Sequence, residues 1–159
     1  MQIKNGPKGM LLIDNARIIF RNFAGARTKF NNEGNRNFAL VIDDKESADM
    51  LIKEGWNVKI KPPRDEDDTP LMFLPVKIHV NDRGPNFYLT SGDKRVELIP
   101  SNNPDEDMVA NLDNIDILNV DLDIRPFDWE VNGKTGRTAY LHSIHVTQDV
   151  DRFRSRFED

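Results

Sequence analysis

Hydrophobic and polar residues alternate along the first part of the chain, as is typical of β-strands. In "GMLLIDNARIIFRNF" the alternation predicts a strand whose inner face carries Leu12, Ala16, Ile18 and Phe20. The outer face of the same strand then carries Asn15, Arg17, Ile19, Arg21 and Phe23. The segment "NFALVIDD" predicts a second strand with Phe38, Leu40 and Ile42 turned inward. The two strands should form a hairpin around the loop within "RNFAGARTKFNNEGNRNF".

A helical pattern follows this hairpin. The segment "DDKESADMLIKEGW" predicts one short α-helix at about residues 44–54, with Ala48, Leu51 and Ile52 on one apolar stripe. Asp43 or Asp44 can cap its N-terminus, and Gly55 is a typical stop signal.

Period-two patterns return in the rest of the chain. "WNVKIK" and "LPVKIHVN" predict single strands, and "NFYLTSGDKRVELIP" predicts a hairpin that turns at Ser91, Gly92 and Asp93. "SNNPDEDMVANLDN" predicts an acidic connector with one helical turn. The last third predicts two long strands joined near "NGKTG", where Asn132 and Gly133 can adopt the positive φ of a tight turn.

Six or seven strands and one helix predict a mainly β fold. The first candidate is a single β-barrel like the oligonucleotide-binding (OB) fold, with extended hairpins, and the alternative is a β-sandwich. The length of 159 residues suits one domain, which we place at residues 1–148, followed by a polar C-terminal tail at 149–159.

Composition narrows the functional class. No apolar run is long enough to span a bilayer, and the start "MQIKNGPKGM" lacks the apolar core of a signal peptide. Cysteine is absent, so disulfides and thiol chemistry are excluded. These features predict a cytoplasmic protein without contact to a membrane.

Charge is segregated along the chain, whose formal net charge is −5. Five basic residues and one acidic residue lie between Arg17 and Arg36, whereas seven acidic residues and no basic one lie between Asp105 and Asp123. An acidic protein can therefore still present a local basic surface.

Basic and aromatic side chains are interleaved on the predicted outer faces and on the first loop. Cations that follow phosphates, together with rings that stack on bases, are what binding of single-stranded nucleic acid requires. The candidates in this region are Arg17, Arg21, Phe23, Arg27, Lys29, Phe30, Arg36, Lys59, Lys61 and Lys77. Each cation alone is also explained by solvation, and Phe30 could equally fix the loop to the barrel.

The segment "RPFDWEVNGKTGR" repeats this chemistry in a second hairpin. Phe127 and Trp129 lie near a turn that also carries Lys134 and Arg137. Hairpin loops of this kind can flank the binding face of an OB fold. The alternative is that Trp129 packs on the end of the barrel.

Catalytic readings fail on spacing. "NGKTG" has Asp128 where a phosphate-binding loop needs glycine, and His142 and His145 should face opposite sides of one strand. Asp128, Glu130 and Lys134 match a metal-dependent nuclease only loosely, because the lysine lies too far from the glutamate. We therefore predict no catalytic residue, no metal and no cofactor.

Taken together, several segments resemble a known family. "IDNARIIFRNF…KFNNEGNRNFALVIDD", "GWNVKIKPPRDEDDTP" and "NVDLDIRPFDWEVNGKTGRTAYLHSIHVT" are similar to phage- and prophage-encoded single-stranded DNA-binding proteins of OB-fold type. The similarity extends over about residues 9–148. Two features depart from the family pattern: "RFRSRFED" is not an acidic tail, and the helix falls between the second and third strands instead of the third and fourth.

The resemblance implies a non-enzymatic protein that protects single-stranded DNA without sequence preference during phage replication or recombination. It also implies possible contact with phage or host replication and recombination proteins, and it leaves the oligomeric state open, a homodimer included. One alternative is a phage protein-interaction module, such as a virion component or an inhibitor of a host factor. A metal-dependent nuclease is the more remote alternative.

Overall fold

The computed structural model describes residues 1–150, in which ten strands and one α-helix are present. Two short 3-10 helices lie at Pro7–Gly9 and Val109–Asp113. The other elements, in chain order, are β1 (Gln2–Asn5), β2 (Leu11–Asp14), β3 (Ile18–Asn22), β4 (Arg36–Val41), α1 (Lys45–Lys53), β5 (Lys59–Lys61), β6 (Leu71–Ile78), β7 (Asn86–Ser91), β8 (Lys94–Leu98), β9 (Ile117–Val131) and β10 (Lys134–Gln148).

The helix agrees with its sequence signals. The Asp44 side chain accepts a 2.8 Å hydrogen bond from the Ser47 backbone N–H, which caps the N-terminus. This bond lowers the pKa of Asp44 from its ordinary value. Ala48 and Leu51 are buried, whereas Ile52 is 44% exposed and does not belong to the buried stripe. Gly55 ends the helix with a φ of 94°. As predicted, α1 lies between the strands that the sequence indicated as second and third, which are β4 and β5 in the structure.

The described strands form one connected sheet in the order β1-β2-β9-β10-β6-β4-β3. β10 pairs antiparallel with β9 on one side, and on its other side it pairs in parallel with β6 and β7. β2 and β3 are two halves of one bent segment, of which the first half pairs with β9 and the second with β4. This segment joins the two ends of the strand order into a partly open, OB-like barrel.

The mainly β prediction is therefore confirmed, and the arrangement differs from a β-sandwich, which needs two separate sheets. Ten strands are present instead of six or seven, partly because "QIKN" forms an edge strand that its short polar sequence did not indicate. Of the predicted tail at 149–159, residues 151–159 lie outside the described part of the chain.

The bent segment does not keep a single alternation. Asn15 and Phe20 both have a φ of 53°, and the β3–β4 register shifts between Ile19 and Asn22. Each irregularity moves the following side chains to the other face of the strand. The predicted inner set is therefore corrected at two positions: Leu11 replaces Leu12 in the core, and Phe20 is 59% exposed.

The hairpin predictions are confirmed. β7 and β8 turn at Gly92 and Asp93, and β9 and β10 turn at Asn132 and Gly133, which both have positive φ. The core lies inside the barrel, where Leu40, Leu74 and Ile124 are completely buried.

Candidate nucleic-acid interface

The basic loop (residues 23–35) connects β3 to β4 and is organised by its asparagines. The Asn31 amide donates to the carbonyl oxygens of Ala26 and Asn35, and the Asn37 amide donates to Asn31 Oδ1 at 3.0 Å. The Gly34 N–H donates to the Gly25 carbonyl at 2.8 Å. The loop is therefore held in one shape by its own polar groups.

Phe23 lies in the core, and this corrects its assignment to the binding face. Its side chain is completely buried and stacks on Phe38 with ring centroids 5.2 Å apart. The cause is the bulge at Phe20, which reverses the alternation before Phe23 is reached. Phe23 cannot meet a base in this structure.

Arg36 and Arg21 also have structural partners. Arg36 forms a 2.9 Å ion pair with Asp107 and donates to the carbonyl oxygens of Phe23 and Ser101. Arg21 Nη1 donates at 2.8 Å to the carbonyl oxygens of Leu112 and Ile115. Both guanidinium groups attach the first hairpin to the acidic connector, so we remove them from the expected phosphate contacts.

The acidic connector also supports the start of the basic loop. The Asp113 carboxylate accepts hydrogen bonds from the backbone N–H groups of Phe23 and Ala24, at 2.7 and 3.0 Å. Part of the segregated charge is therefore used in contacts between the two oppositely charged segments.

Arg17 is exposed, but it lies apart from the other candidates. It borders a cleft that also contains Asp43 and Asp116. No residue that lines this cleft also lines the groove beside Lys77, which is described below. The structure thus separates Arg17 from Lys77.

The tip of the basic loop is fully accessible. Arg27 and Lys29 are exposed, and Phe30 is 92% exposed with the Lys29 ammonium 5.8 Å from its ring centroid. Phe30 therefore does not fix the loop to the barrel, and stacking on a base stays a prediction for this ring.

One row of side chains crosses the outer face of the barrel, defined here as the outward surface of β4, β5, β6, β9 and β10. Asn37, Lys77, Tyr140 and Arg125 are partners in adjacent strands and therefore share this face. The Arg125 guanidinium lies 4.9 Å from the Tyr140 ring centroid, and Phe127 packs edge-on against that ring at 5.9 Å.

A second aromatic group lies on the same face, in register with β5. Phe73 is the partner of Lys59, and Lys61 is the partner of Leu71. Phe20 packs edge-on against Phe73 at 5.5 Å, and Phe73 does not belong to the hydrophobic core. Apolar rings outside the core and beside lysines form a surface suited to stacking.

Sequence reasoning did not assign Phe20, Phe73, Arg125 or Tyr140 to the site. The alternation could have indicated Phe73, because it lies four residues before the predicted outward Lys77 and therefore on the same face of β6. Phe20 could not be found in this way, since the bulge that exposes it has no glycine to mark it.

A groove of about 440 Å³ lies between the basic loop and the outer face. Its floor contains Pro75, Lys77 and Tyr140, and its wall contains Asn31 and Asn35 of the loop. The structure thus brings Lys77 together with the basic loop, while Lys59 and Lys61 continue the same face along β5.

The sequence as a whole matches a family model described as "Putative phage ssDNA-binding domain", which covers residues 1–159. The chain belongs to this family. No curated protein sequence matches the chain.

Solved structures of one phage single-stranded DNA-binding protein share the fold of this family member. The single-stranded DNA-binding protein from bacteriophage Enc34, in a C-terminally truncated form, is 17% identical with a TM-score of 0.55, over 95% of this chain and 94% of that one. The same Enc34 protein in complex with ssDNA is 17% identical with a TM-score of 0.53, over 96% of both chains.

The second hairpin of this phage ssDNA-binding domain is less cationic than its sequence indicated. Arg137 donates from Nε to Asp128 at 2.7 Å and lies 5.4 Å from the Trp56 ring centroid. The hydrogen bond from Arg137 lowers the pKa of Asp128, and the same bond raises the pKa of Arg137. Of the predicted pair of cations, Lys134 at the turn is exposed and Arg137 is paired.

Trp129 lies across Gly136 of the neighbouring strand and is 39% exposed. It borders a cleft of about 470 Å³ whose charged lining residues are Glu54, Asp128, Glu130 and Arg137. Because Arg137 is paired with Asp128, two uncompensated carboxylates remain and repel a phosphate backbone. The favourable part of the outer face therefore ends near Phe127.

Two further features of the structure concern metals and membranes. Within residues 1–150, no group of three or more His, Asp or Glu side chains is arranged to hold a metal ion. None of the helices in the same part of the chain is long and apolar enough to cross a membrane.

Proposed function

We propose that this protein binds single-stranded DNA along the groove and the outer face, without sequence preference. The observation that carries the proposal is the row of Lys77, Tyr140 and Arg125. In this row one cation lies on each side of an aromatic residue. Such an arrangement lets cations contact phosphates while a ring stacks on a base.

The chemistry of the groove favours binding without sequence readout. Every base has a face on which an aromatic ring can stack, so stacking tolerates all sequences. Sequence readout requires side chains of the protein that are free to form hydrogen bonds with the base edges. The amide groups of Asn31 and Asn37 beside the groove are already engaged within the loop.

The biological role that we propose is protection of exposed strands in phage replication or recombination, in the cytoplasm of the bacterial host. The protein acts by binding and not as an enzyme. Family membership supports this role, as does the Enc34 protein that shares the fold and has been solved in complex with ssDNA. Phage or host replication proteins are the further partners that such a role would involve.

Fluorescence anisotropy with labelled dT, dC and mixed-sequence oligonucleotides tests the proposal. We expect binding to all three at low salt with similar affinity, because phosphate contacts and stacking do not depend on the base. A Lys77→Gln/Arg125→Gln variant should bind all three more weakly. The matched control is Lys4→Gln/Lys94→Gln, which removes two exposed lysines from β1 and β8, away from the outer face.

Absence of binding by the unaltered protein at low salt would contradict the proposal. Equal weakening by both double variants would mean that net charge, and not the outer face, governs binding. Incubation of a labelled strand with Mg²⁺ tests the nuclease alternative in the same samples, and an intact strand is the expected result.

A further inference from the structure

A second, smaller cavity adjoins the groove and has an unusual charge. It has a volume of about 250 Å³ and is called here the cationic pocket. Its polar lining consists of two histidines, two arginines and one asparagine: His79, Asn81, Arg83, Arg125 and His142. No carboxylate is among its lining residues.

Backbone hydrogen bonds fix the turn that carries part of this lining. Arg83 lies in a turn that Asn81 and Gly84 close with two mutual backbone hydrogen bonds of 2.9 and 3.2 Å. Asn81 Oδ1 also accepts from the Arg83 N–H at 2.8 Å, which fixes the arginine at the rim.

His142 reaches the pocket through an irregularity in β10. The β9–β10 register shifts between Leu141 and Ser143, so His142 has no partner in that ladder and is exposed. Bulges often redirect one side chain next to a functional site. Arg125 approaches from β9, where its contact with Tyr140 holds the guanidinium in place.

No carboxylate in the lining of the pocket compensates the positive charge of its arginines. Asp82 belongs to the same turn and Asp123 to the adjacent strand, but neither lines the cavity. Asp123 Oδ2 already accepts a hydrogen bond from Ser143 Oγ at 3.1 Å. Guanidinium and imidazole groups that converge without a carboxylate suit an anion, and they donate several hydrogen bonds to phosphate oxygens.

The cationic pocket is continuous with the groove because His79 lines both. We propose that it binds one phosphate group of the DNA strand that lies in the groove. This inference rests on the proposed function. The phosphate is either an internal phosphodiester or the terminal phosphate of a strand end, and both offer the same oxygens to the pocket.

The histidines supply hydrogen-bond donors for this contact. An imidazole ring can donate a hydrogen bond to a phosphate oxygen, so His79 and His142 should both contribute to the contact.

The chain contains three histidines, which gives an internal control for NMR of the imidazole rings. His145 bonds to Thr90 at 2.7 Å and lies outside the pocket. Added dT oligonucleotide should shift the ring signals of His79 and His142 and leave that of His145 nearly unchanged. Inorganic phosphate should do the same when compared with chloride at equal ionic strength.

Strands with a 5′ phosphate, a 3′ phosphate or hydroxyl ends identify the source of the phosphate. A larger shift with a phosphorylated end assigns the pocket to a strand terminus, and equal shifts assign it to an internal phosphodiester. An oligonucleotide that binds by anisotropy but leaves all three signals unchanged would overturn the inference and leave the proposed function intact. No binding at all would remove both.

An Arg83→Gln variant gives an independent readout, because Arg83 lines the pocket and carries a permanent charge. Its plot of log affinity against log salt should be shallower by about 0.7, the value for one phosphate contact with a single strand. A slope identical to that of the unaltered protein would contradict the inference.

Discussion

Two residues with positive φ decide which side chains of the first strand meet the core. Asn15 and Phe20 interrupt the alternation of the bent segment, so Phe23 is buried and Phe20 is exposed. A pattern with a period of two predicts the opposite assignment for both phenylalanines. Their roles should therefore separate in experiments on stability and on DNA binding.

Phe23→Ala should lower the free energy of unfolding by about 3 to 5 kcal/mol, because it removes a fully buried ring and leaves a cavity beside Phe38. Urea denaturation measures this effect. Phe20→Ala is the control at the exposed position and should be much less destabilising. A larger loss for Phe20→Ala than for Phe23→Ala would contradict the bulge, because an uninterrupted alternation buries Phe20 and exposes Phe23.

Phe30→Ala should weaken binding of a dT oligonucleotide by about 1 to 3 kcal/mol, the range observed when a stacking ring is removed. Stability should not change, since the ring is 92% exposed. Leu118→Ala on β9 is the control, because that side chain is 66% exposed and does not line the groove. Unchanged affinity in Phe30→Ala would place the loop tip outside the DNA contact.

At the scale of elements, the sequence predicted those features that depend on neighbours in the chain. The cap at Asp44, the stop at Gly55 and the turn at Asn132 are local signals, and all three elements formed as expected. The partners of Arg36 could not be predicted, because Asp107 lies far away in sequence and is brought close only by the fold.

The same distinction applies to the candidate interface: its local features could be predicted from the sequence, and its contacts between distant strands could not. Lys77 and the exposed tip of the basic loop followed from alternation and loop composition. The row that joins Lys77 to Tyr140 and Arg125 depends on the register between three strands that are distant in the chain. Register of this kind is set by packing and by turns, and one sequence alone does not reveal it.

The β9–β10 hairpin provides a prediction about pH. The pKa of Asp128 is lowered in the folded protein by its hydrogen bond from Arg137, so this contact stabilises the fold while Asp128 is ionised. The stabilisation is present above the ordinary pKa of an aspartate and is lost as the pH falls through the lowered value. Asp128→Asn should therefore be slightly less stable at neutral pH.

Urea denaturation at neutral pH and at a series of decreasing acidic pH values measures this difference between Asp128→Asn and the unaltered protein. The gap should narrow as the pH falls through the lowered pKa of Asp128, where the carboxyl group of the unaltered protein becomes protonated. Asp14→Asn on β2 is a control, because no ion pair involves that exposed residue in the described part of the chain. A gap that is independent of pH would contradict the assigned role of Asp128.

For the whole molecule, an acidic chain with a local cationic surface should bind DNA in a strongly salt-dependent manner. Each phosphate contact with a single strand contributes about 0.7 to the slope of log affinity against log salt. Lys77→Gln should therefore make the slope shallower by about 0.7. Lys94→Gln, at the turn between β7 and β8, should leave it unchanged.

Titration of a dT oligonucleotide at several salt concentrations measures both slopes. The comparison separates a true contact from a general loss of positive charge, because both variants change the net charge equally. Similar slopes for Lys77→Gln and Lys94→Gln would place the DNA away from the groove.

The bent segment that links the two ends of the partly open barrel should also affect how the chain folds during its synthesis. Leu11 of β2 pairs with Ile124, so the apolar side chains of β2 cannot be covered until β9 has left the ribosome. Pairings between such distant residues form late, since a long loop must be closed first. The N-terminal half therefore remains incompletely packed for most of translation, and a nascent chain that stops before β9 should be sensitive to proteases.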